Sequence, residues 1–266
     1  KTEGLNKVYR QGGLVRSRQI KALNDVNISV ESDKPVVIAV VGESGSGKTT
    51  LAKTLLRLET PSSGRAIVYD TVVTGKGTAL SKQQFLGLVQ PIFQNPFEAF
   101  SRYRPVDAYL NETARRVGGM DGAQAEAAVA AALQSVGLKY EAVRGKYTNQ
   151  FSGGELQRIS VALIPQPKLI VADEPVSMID ASRRMIIINL FKQLRDEAGR
   201  SFLYITHDLA TAYYISDYVA VMNKGVVVEF GDARQVMGDP QHDYTKLLLS
   251  SIPTTKSRWR PRKVAA

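Results

Sequence analysis

Residues 36–56 read Val36-Val37-Ile38-Ala39-Val40-Val41-Gly42-Glu43-Ser44-Gly45-Ser46-Gly47-Lys48-Thr49-Thr50-Leu51-Ala52-Lys53-Thr54-Leu55-Leu56. An apolar run of strand length enters a glycine-rich segment, and helix formers follow it. Gly42, Gly47, Lys48 and Thr49 meet the spacing GxxxxGK[ST] at every fixed position. Glycines let backbone N–H groups curl around phosphate oxygens without Cβ clashes. The helix that starts there points its positive end at the same anion. Lys48 can reach the β- and γ-phosphates of a nucleotide, and the Thr49 hydroxyl can ligate Mg²⁺. A glycine-rich turn carrying a stray lysine would have no need of this strand and helix.

The chain has 266 residues, long enough for one large domain or two small ones. Its hydrophobic content of 44% supports a core. No apolar run approaches the roughly 18 to 20 residues of a membrane helix. No secretory pattern is visible at the amino end. The absence of cysteine excludes disulfides, thiolate zinc sites and cysteine-ligated clusters, which fits the cytosol. The net charge of +10 suits nucleic acid, an anionic membrane surface, or a scattered excess with no partner. Its one dense basic run is Lys256, Arg258, Arg260, Arg262 and Lys263, with Trp259 among them, and this reads as a solvated tail.

Before the glycine-rich loop, Leu5 to Tyr9 and Ala22 to Val30 alternate as strands, with a basic loop expected from Arg10 to Lys21. Tyr9 is either an aromatic beside an adenine ring or an ordinary strand-face tyrosine. Ala66 to Asp70 reads as a strand followed by a polar turn. Leu88 to Phe93 runs apolar into Gln94, whose amide suits a hinge reaching a metal-bound water. Residues 106–150 turn helical, with alanine-rich Asp121 to Val136 between Gly118-Gly119 and Gly137, as a small helical block inserted in an α/β core. Ser152-Gly153-Gly154-Glu155 reads as a capped helix start that could also bind phosphate. Leu169 to Ala172 is a buried strand ending in Asp173 and Glu174, carboxylates that need work or partners there. The first belongs with Mg²⁺ and the second with an attacking water. Ile187 to Ala198 reads as a helix. Ser201 to Thr206 is a strand with His207 at its carboxyl end, where α/β sites lie. Tyr218 to Asn223 and Gly225 to Phe230 read as a hairpin.

In this order the segments resemble the ATP-binding subunit of an ABC transporter, over about residues 5 to 253. Gly42 to Thr49 matches the phosphate loop, Gln94 the Q-loop, and Ser152 to Glu155 the signature usually written Leu-Ser-Gly-Gly-Gln. Asp173 and Glu174 match the Walker B aspartate and catalytic glutamate, Ser177 to Asp180 the D-loop, and His207 the switch histidine. Gln94 to Phe97, Val176 to Ser182 and Asp239 to Pro253 look like the oligopeptide/dipeptide importer group, some members of which carry oligosaccharides. Phe151 and Glu155 replace the commoner Leu and Gln. Arg158 to Pro167 is about two residues shorter than in relatives, so the helix ends early at Pro165 or the sequence lacks residues there.

The resemblance implies an α/β fold: a RecA-like phosphate-loop core with an amino-terminal antiparallel β subdomain and an inserted helical subdomain. It divides the chain into 1–94 (β subdomain and first part of the core), 95–165 (helical subdomain with the signature), 166–235 (second part of the core) and 236–266 (importer-type extension and basic tail). The implied catalytic set is Glu174, His207, Lys48 and Gln94. ATP would be held by Tyr9, Gly42, Glu43, Ser44, Gly45, Ser46, Gly47, Lys48, Thr49 and Thr50, and Mg²⁺ by Thr49, Gln94 and Asp173. Ser152, Gly153, Gly154 and Glu155 would serve a second ATPase subunit in trans. The further partners implied are two transmembrane permeases and, indirectly, an extracellular substrate-binding protein, at the cytoplasmic face of the membrane. No nucleic acid is expected. A soluble ATPase acting on nucleic acid, or a regulatory nucleotide binder with little turnover, are the competing readings.

Overall fold

The computed structural model describes residues 1–11, 18–162 and 166–251. Two sheets carry the fold. The first is antiparallel, built from β1 (Thr2–Gln11), β2 (Arg18–Ile28), β4 (Ser63–Val68) and β5 (Thr71–Gly75) in the order β2-β1-β4-β5. The second takes β3 (Val37–Val41), β6 (Val89–Ile92), β7 (Leu169–Asp173), β8 (Ser201–Ile205), β9 (Tyr218–Asn223) and β10 (Val226–Asp232) in the order β10-β9-β3-β8-β7-β6. Its strands run parallel except β10, which closes one edge antiparallel to β9.

Helices join them. α1 (Lys48–Leu55) follows β3, and α2 (Lys82–Leu88) precedes β6. Between β6 and β7 lie α3 (Val106–Arg116), α4 (Gly122–Ser135), α5 (Tyr140–Val143) and α6 (Gly153–Val161). α7 (Ala181–Asp196), α8 (Leu209–Ile215), α9 (Ala233–Gly238) and α10 (Asp243–Ser250) complete the chain.

The near-continuous apolar strands of the second sheet are explained by what covers them. Val37, Ala39 and Val41 of β3 enter one core with the inserted helices and with Ile187, Ile188 and Phe191 of α7. Val40 enters the other, with Leu51, Ala52 and Leu55 of α1 and Leu5, Leu23 and Val26 of the first sheet. β7 and β8 divide the same way, Ala172 and Tyr204 to one side, Val171 and Leu203 to the other. A strand buried on both faces has no polar side to show.

Several boundaries differ from the sequence reading. The basic loop is shorter than expected, because β1 runs on to Gln11 and β2 begins at Arg18. Tyr69 and Asp70 turn the chain at φ 45° and 63° rather than extending a strand, and Thr71–Gly75 is a strand where a polar turn was expected. α7 begins at Ala181, six residues before the expected Ile187, since its first turns are polar and carry no apolar periodicity. α6 ends at Val161, ahead of Pro165. Leu163, Ile164, Pro165 and the basic tail with Trp259 lie outside the described residues.

Candidate nucleotide site

Register brings the chemistry to one edge. Val40 of β3 pairs with Ile205 of β8, and Ile205 pairs with Asp173 of β7. The loop leaving β3, the carboxylates ending β7 and the histidine after β8 therefore emerge side by side at the carboxyl end of the parallel strands. Glu174 N–H donates to the Ile205 carbonyl at 2.9 Å, and Thr206 N–H to the Val40 carbonyl at 3.2 Å, continuing the alignment past the strands.

The loop is braced by three distant segments. Gly42 has φ 148°, and a Cβ there would lie 2.2 Å from the Met222 carbonyl oxygen of β9. Gly47 has φ 108°, and a Cβ there would lie 2.5 Å from the Ala22 carbonyl oxygen of β2. Only glycine fits either place. Gly225 N–H, in the β9–β10 turn, donates to the Ser46 carbonyl at 2.8 Å. Gly47 caps α1 with no side-chain hydrogen bond, so the first N–H groups of the helix stay available to an anion. Glu43, Ser44, Gly45 and Thr49 are exposed, Ser46 and Lys48 buried, and Thr50 half-buried in the first turn of α1.

Lys48 Nζ donates to the Gly42 carbonyl at 2.7 Å and the Glu43 carbonyl at 2.8 Å. Burial lowers its pKa from the ordinary lysine value, and the nearby Glu174 and Asp173 work against that shift. Asp173 moves the other way. Burial raises its pKa, the Thr49 hydroxyl draws it back down, and Glu174 raises it further. Its Oδ1 is buried without a hydrogen-bond partner. A buried carboxylate oxygen left unpaired beside a threonine hydroxyl is a donor set that fits a hard divalent cation such as Mg²⁺.

Glu174 sits at φ 48° in the left-handed region, and Ser177 Oγ donates to its carbonyl at 2.9 Å. His207 Nδ1 donates to its carboxylate, 2.8 Å from Oε1 and 2.7 Å from Oε2. The histidine is exposed while the glutamate side chain is only 16% accessible. This contact ties the Glu174 carboxylate to the histidine that follows β8.

The remaining expected residues lie apart. Gln94 is exposed two residues beyond β6, at the same end of the sheet. Tyr9 pairs with Ile20 on β2, the strand whose Ala22 abuts Gly47, and Lys7 Nζ lies 4.9 Å from its ring centre. Ser152 caps α6 reciprocally: Glu155 N–H donates to Ser152 Oγ at 3.3 Å, while Ser152 N–H and Oγ donate to Glu155 Oε2 at 2.9 and 2.7 Å. The Ser152 hydroxyl and backbone hold the Glu155 carboxyl below its usual pKa. The cavity beside this turn is lined by Ser152, Gly154, Glu155, Arg158 and Arg183, with no phosphate-loop residue on its wall. The sequence reading missed the support of the loop by Ala22, Met222 and Gly225, which lie far from it along the chain and follow no motif.

Fold and site together define a phosphate-loop nucleotide-binding α/β protein. Residues 23–177 match the family described as ABC transporter, and residues 228–266 match the oligopeptide/dipeptide transporter C-terminal region. The chain belongs to the ABC transporter family, in its oligopeptide/dipeptide branch. It is 35% identical over 265 residues to the dipeptide transport ATP-binding protein DppF of Haemophilus influenzae, covering 98% of this chain and 80% of that protein. It is 38% identical over 253 residues to the oligopeptide transport ATP-binding protein OppD of Mycobacterium tuberculosis, covering 94% of this chain but 41% of that protein. Among solved structures it resembles a dimeric ATP-binding cassette in a post-hydrolysis state bound to ADP and Pi, with TM-score 0.73 and 22% identity over 88% of this chain and 98% of that one.

Proposed function

We propose that this chain is the ATP-hydrolysing subunit of an importer for peptides or related oligomers. The observation that carries the reading is the meeting of Lys48, Asp173 and Glu174 at one sheet edge, with His207 holding the Glu174 carboxylate at 2.7 Å. Lys48 and the uncapped start of α1 bind the β- and γ-phosphates. Thr49, Asp173 and Gln94, beyond β6, would hold Mg²⁺, which would supply charge neutralisation on the phosphates. Glu174 orients the attacking water and takes its proton, and His207 keeps the carboxylate aimed. Tyr9 lies beside the adenine.

Two such chains, identical or homologous, close around two nucleotides. Ser152, Gly153 and Gly154 at the start of α6 then meet the γ-phosphate bound by the partner, with Glu155 as the cap behind them. The cavity beside that turn excludes the chain's own phosphate loop, which supports a site shared between chains. A helix start supplied by the partner stabilises transferring charge only in the closed state, which makes hydrolysis follow association. Gln94 and the loop after it, Asn95 to Tyr103, at the start of the proposed helical subdomain at 95–165, carry this motion to two permease subunits. Among the described residues no helix is long and apolar enough to cross a membrane, so the chain is proposed to sit peripherally at the cytoplasmic face.

The test is turnover of Mg·ATP by the purified chain across a range of protein concentrations. Specific activity should rise with concentration, and Lys48→Ala should abolish it. Turnover that survives Lys48→Ala would refute the site, and specific activity independent of concentration would refute the shared arrangement.

A further inference from the structure

The carboxyl-terminal extension reaches the phosphate loop. Its approach is fixed by Glu229 of β10, whose carboxylate oxygens accept the Gln241 N–H at 2.8 Å and the His242 N–H at 3.1 Å. His242 then caps α10, its Nδ1 accepting the Tyr244 N–H at 3.0 Å. From this clamp the Tyr244 hydroxyl accepts the N–H of Glu43 at 3.1 Å, across 201 positions of sequence.

The peptide group it touches is the one Lys48 uses. Glu43 N–H and the Gly42 carbonyl belong to one planar unit, and in a trans peptide they point opposite ways. Tyr244 holds the N–H, while Lys48 Nζ donates to the carbonyl at 2.7 Å. One rigid plate is thus gripped from both sides, by the carboxyl-terminal helix and by the lysine. The next carbonyl, that of Glu43, accepts from Lys48 at 2.8 Å and from Ser46 N–H at 3.2 Å. The Glu43 side chain is exposed and bonds to nothing among the described residues; beside the Met222 carbonyl packed against Gly42, the Tyr244 hydroxyl holds this plate from outside the loop by a hydrogen bond.

We propose that Tyr244 is a positioning residue for the nucleotide site: through the Gly42–Glu43 peptide it sets the loop geometry that Lys48 and the phosphates share. The inference rests on the nucleotide reading above. Without the hydroxyl the plate can rotate, and binding must order the loop at a cost the intact chain avoids. The loss therefore falls on binding rather than on the chemical step.

The test compares the full chain with Tyr244→Phe, and with Leu247→Ala as a control at an exposed position of the same helix. Two quantities are read: exchange of the Glu43 amide hydrogen in the nucleotide-free protein, and KM and kcat for Mg·ATP. In Tyr244→Phe both the exchange rate and KM should rise about fivefold, the worth of an ordinary hydrogen bond, with kcat unchanged. Leu247→Ala should move neither. Wild-type exchange at Glu43, or a fall in kcat at unchanged KM, would overturn the proposal. Faster exchange in a chain that binds no ATP even as wild type would keep the Tyr244 contact and overturn the nucleotide reading instead.

Discussion

Asp173→Asn should make the nucleotide-free chain more stable and nearly inactive. The substitution keeps the shape and removes the charge. In the structure Oδ1 of Asp173 is buried with no hydrogen-bond partner, and burial raises the carboxyl's pKa. An orphaned buried polar atom costs about 1–3 kcal/mol. The amide leaves an unpaired atom but not a charge, and the group is only partly buried, so solvent screening trims the gain to about 1 kcal/mol. For a chain of this size that is about 2–3 °C in melting temperature. A raised carboxyl pKa makes folding least costly below the unfolded value of about 3.9, and the cost appears as pH rises through the folded value. The stabilisation should therefore be present at pH 7.5 and shrink as the pH is lowered toward 4. The assay is thermal unfolding in EDTA at several pH values, followed by ATP turnover with Mg²⁺. Turnover should fall at least about a hundredfold, as when a preorganised electrostatic group is lost. A variant that melts at or below the wild type at pH 7.5 without metal would refute the reasoning, because Asp173 would then be paying no cost that function must justify.

Glu174→Gln should cut turnover about 10²- to 10⁴-fold while ATP binding persists, and should accumulate an ATP-bound dimer on size-exclusion chromatography; a monomer at saturating ATP would count against the shared site. Ser152→Ala removes the α6 cap and should cost about 1 kcal/mol in thermal unfolding, while turnover drops further than stability alone explains. Glu155→Gln keeps the reciprocal cap but removes a carboxylate that now accepts a hydrogen bond from the Ser152 hydroxyl at 2.7 Å. It should let dimers form at several-fold lower ATP, read by light scattering, since one like charge near a phosphate is worth about 1 kcal/mol when screened.

The places of the phosphate loop, both sheet-edge carboxylates and His207 were legible because each couples a residue type to a position: a polar side chain at the carboxyl end of an apolar strand emerges at the sheet edge. The α6 cap was legible for the same reason, since Ser-x-x-Glu satisfies helix N–H groups locally. What escaped was whatever depends on a second segment. β5 was missed because Thr71–Gly75 is short and polar, and becomes a strand only by pairing with β4. The start of α7 was missed because Ala181-Ser182-Arg183-Arg184 has no apolar rhythm to read. The loop's supports at Ala22, Met222 and Gly225 leave no trace in the sequence, because a backbone carbonyl or N–H makes its contact whatever side chain it carries. Gly42 and Gly47 sit at fixed positions of a motif explained by phosphate binding. The structure adds that each glycine is also the only residue that β9 or β2 leaves room for. The loop's composition thus answers to two constraints, the ligand in front and the strands behind. A substitution such as Gly47→Ala should then disturb the folded loop even in protein that has never met a nucleotide.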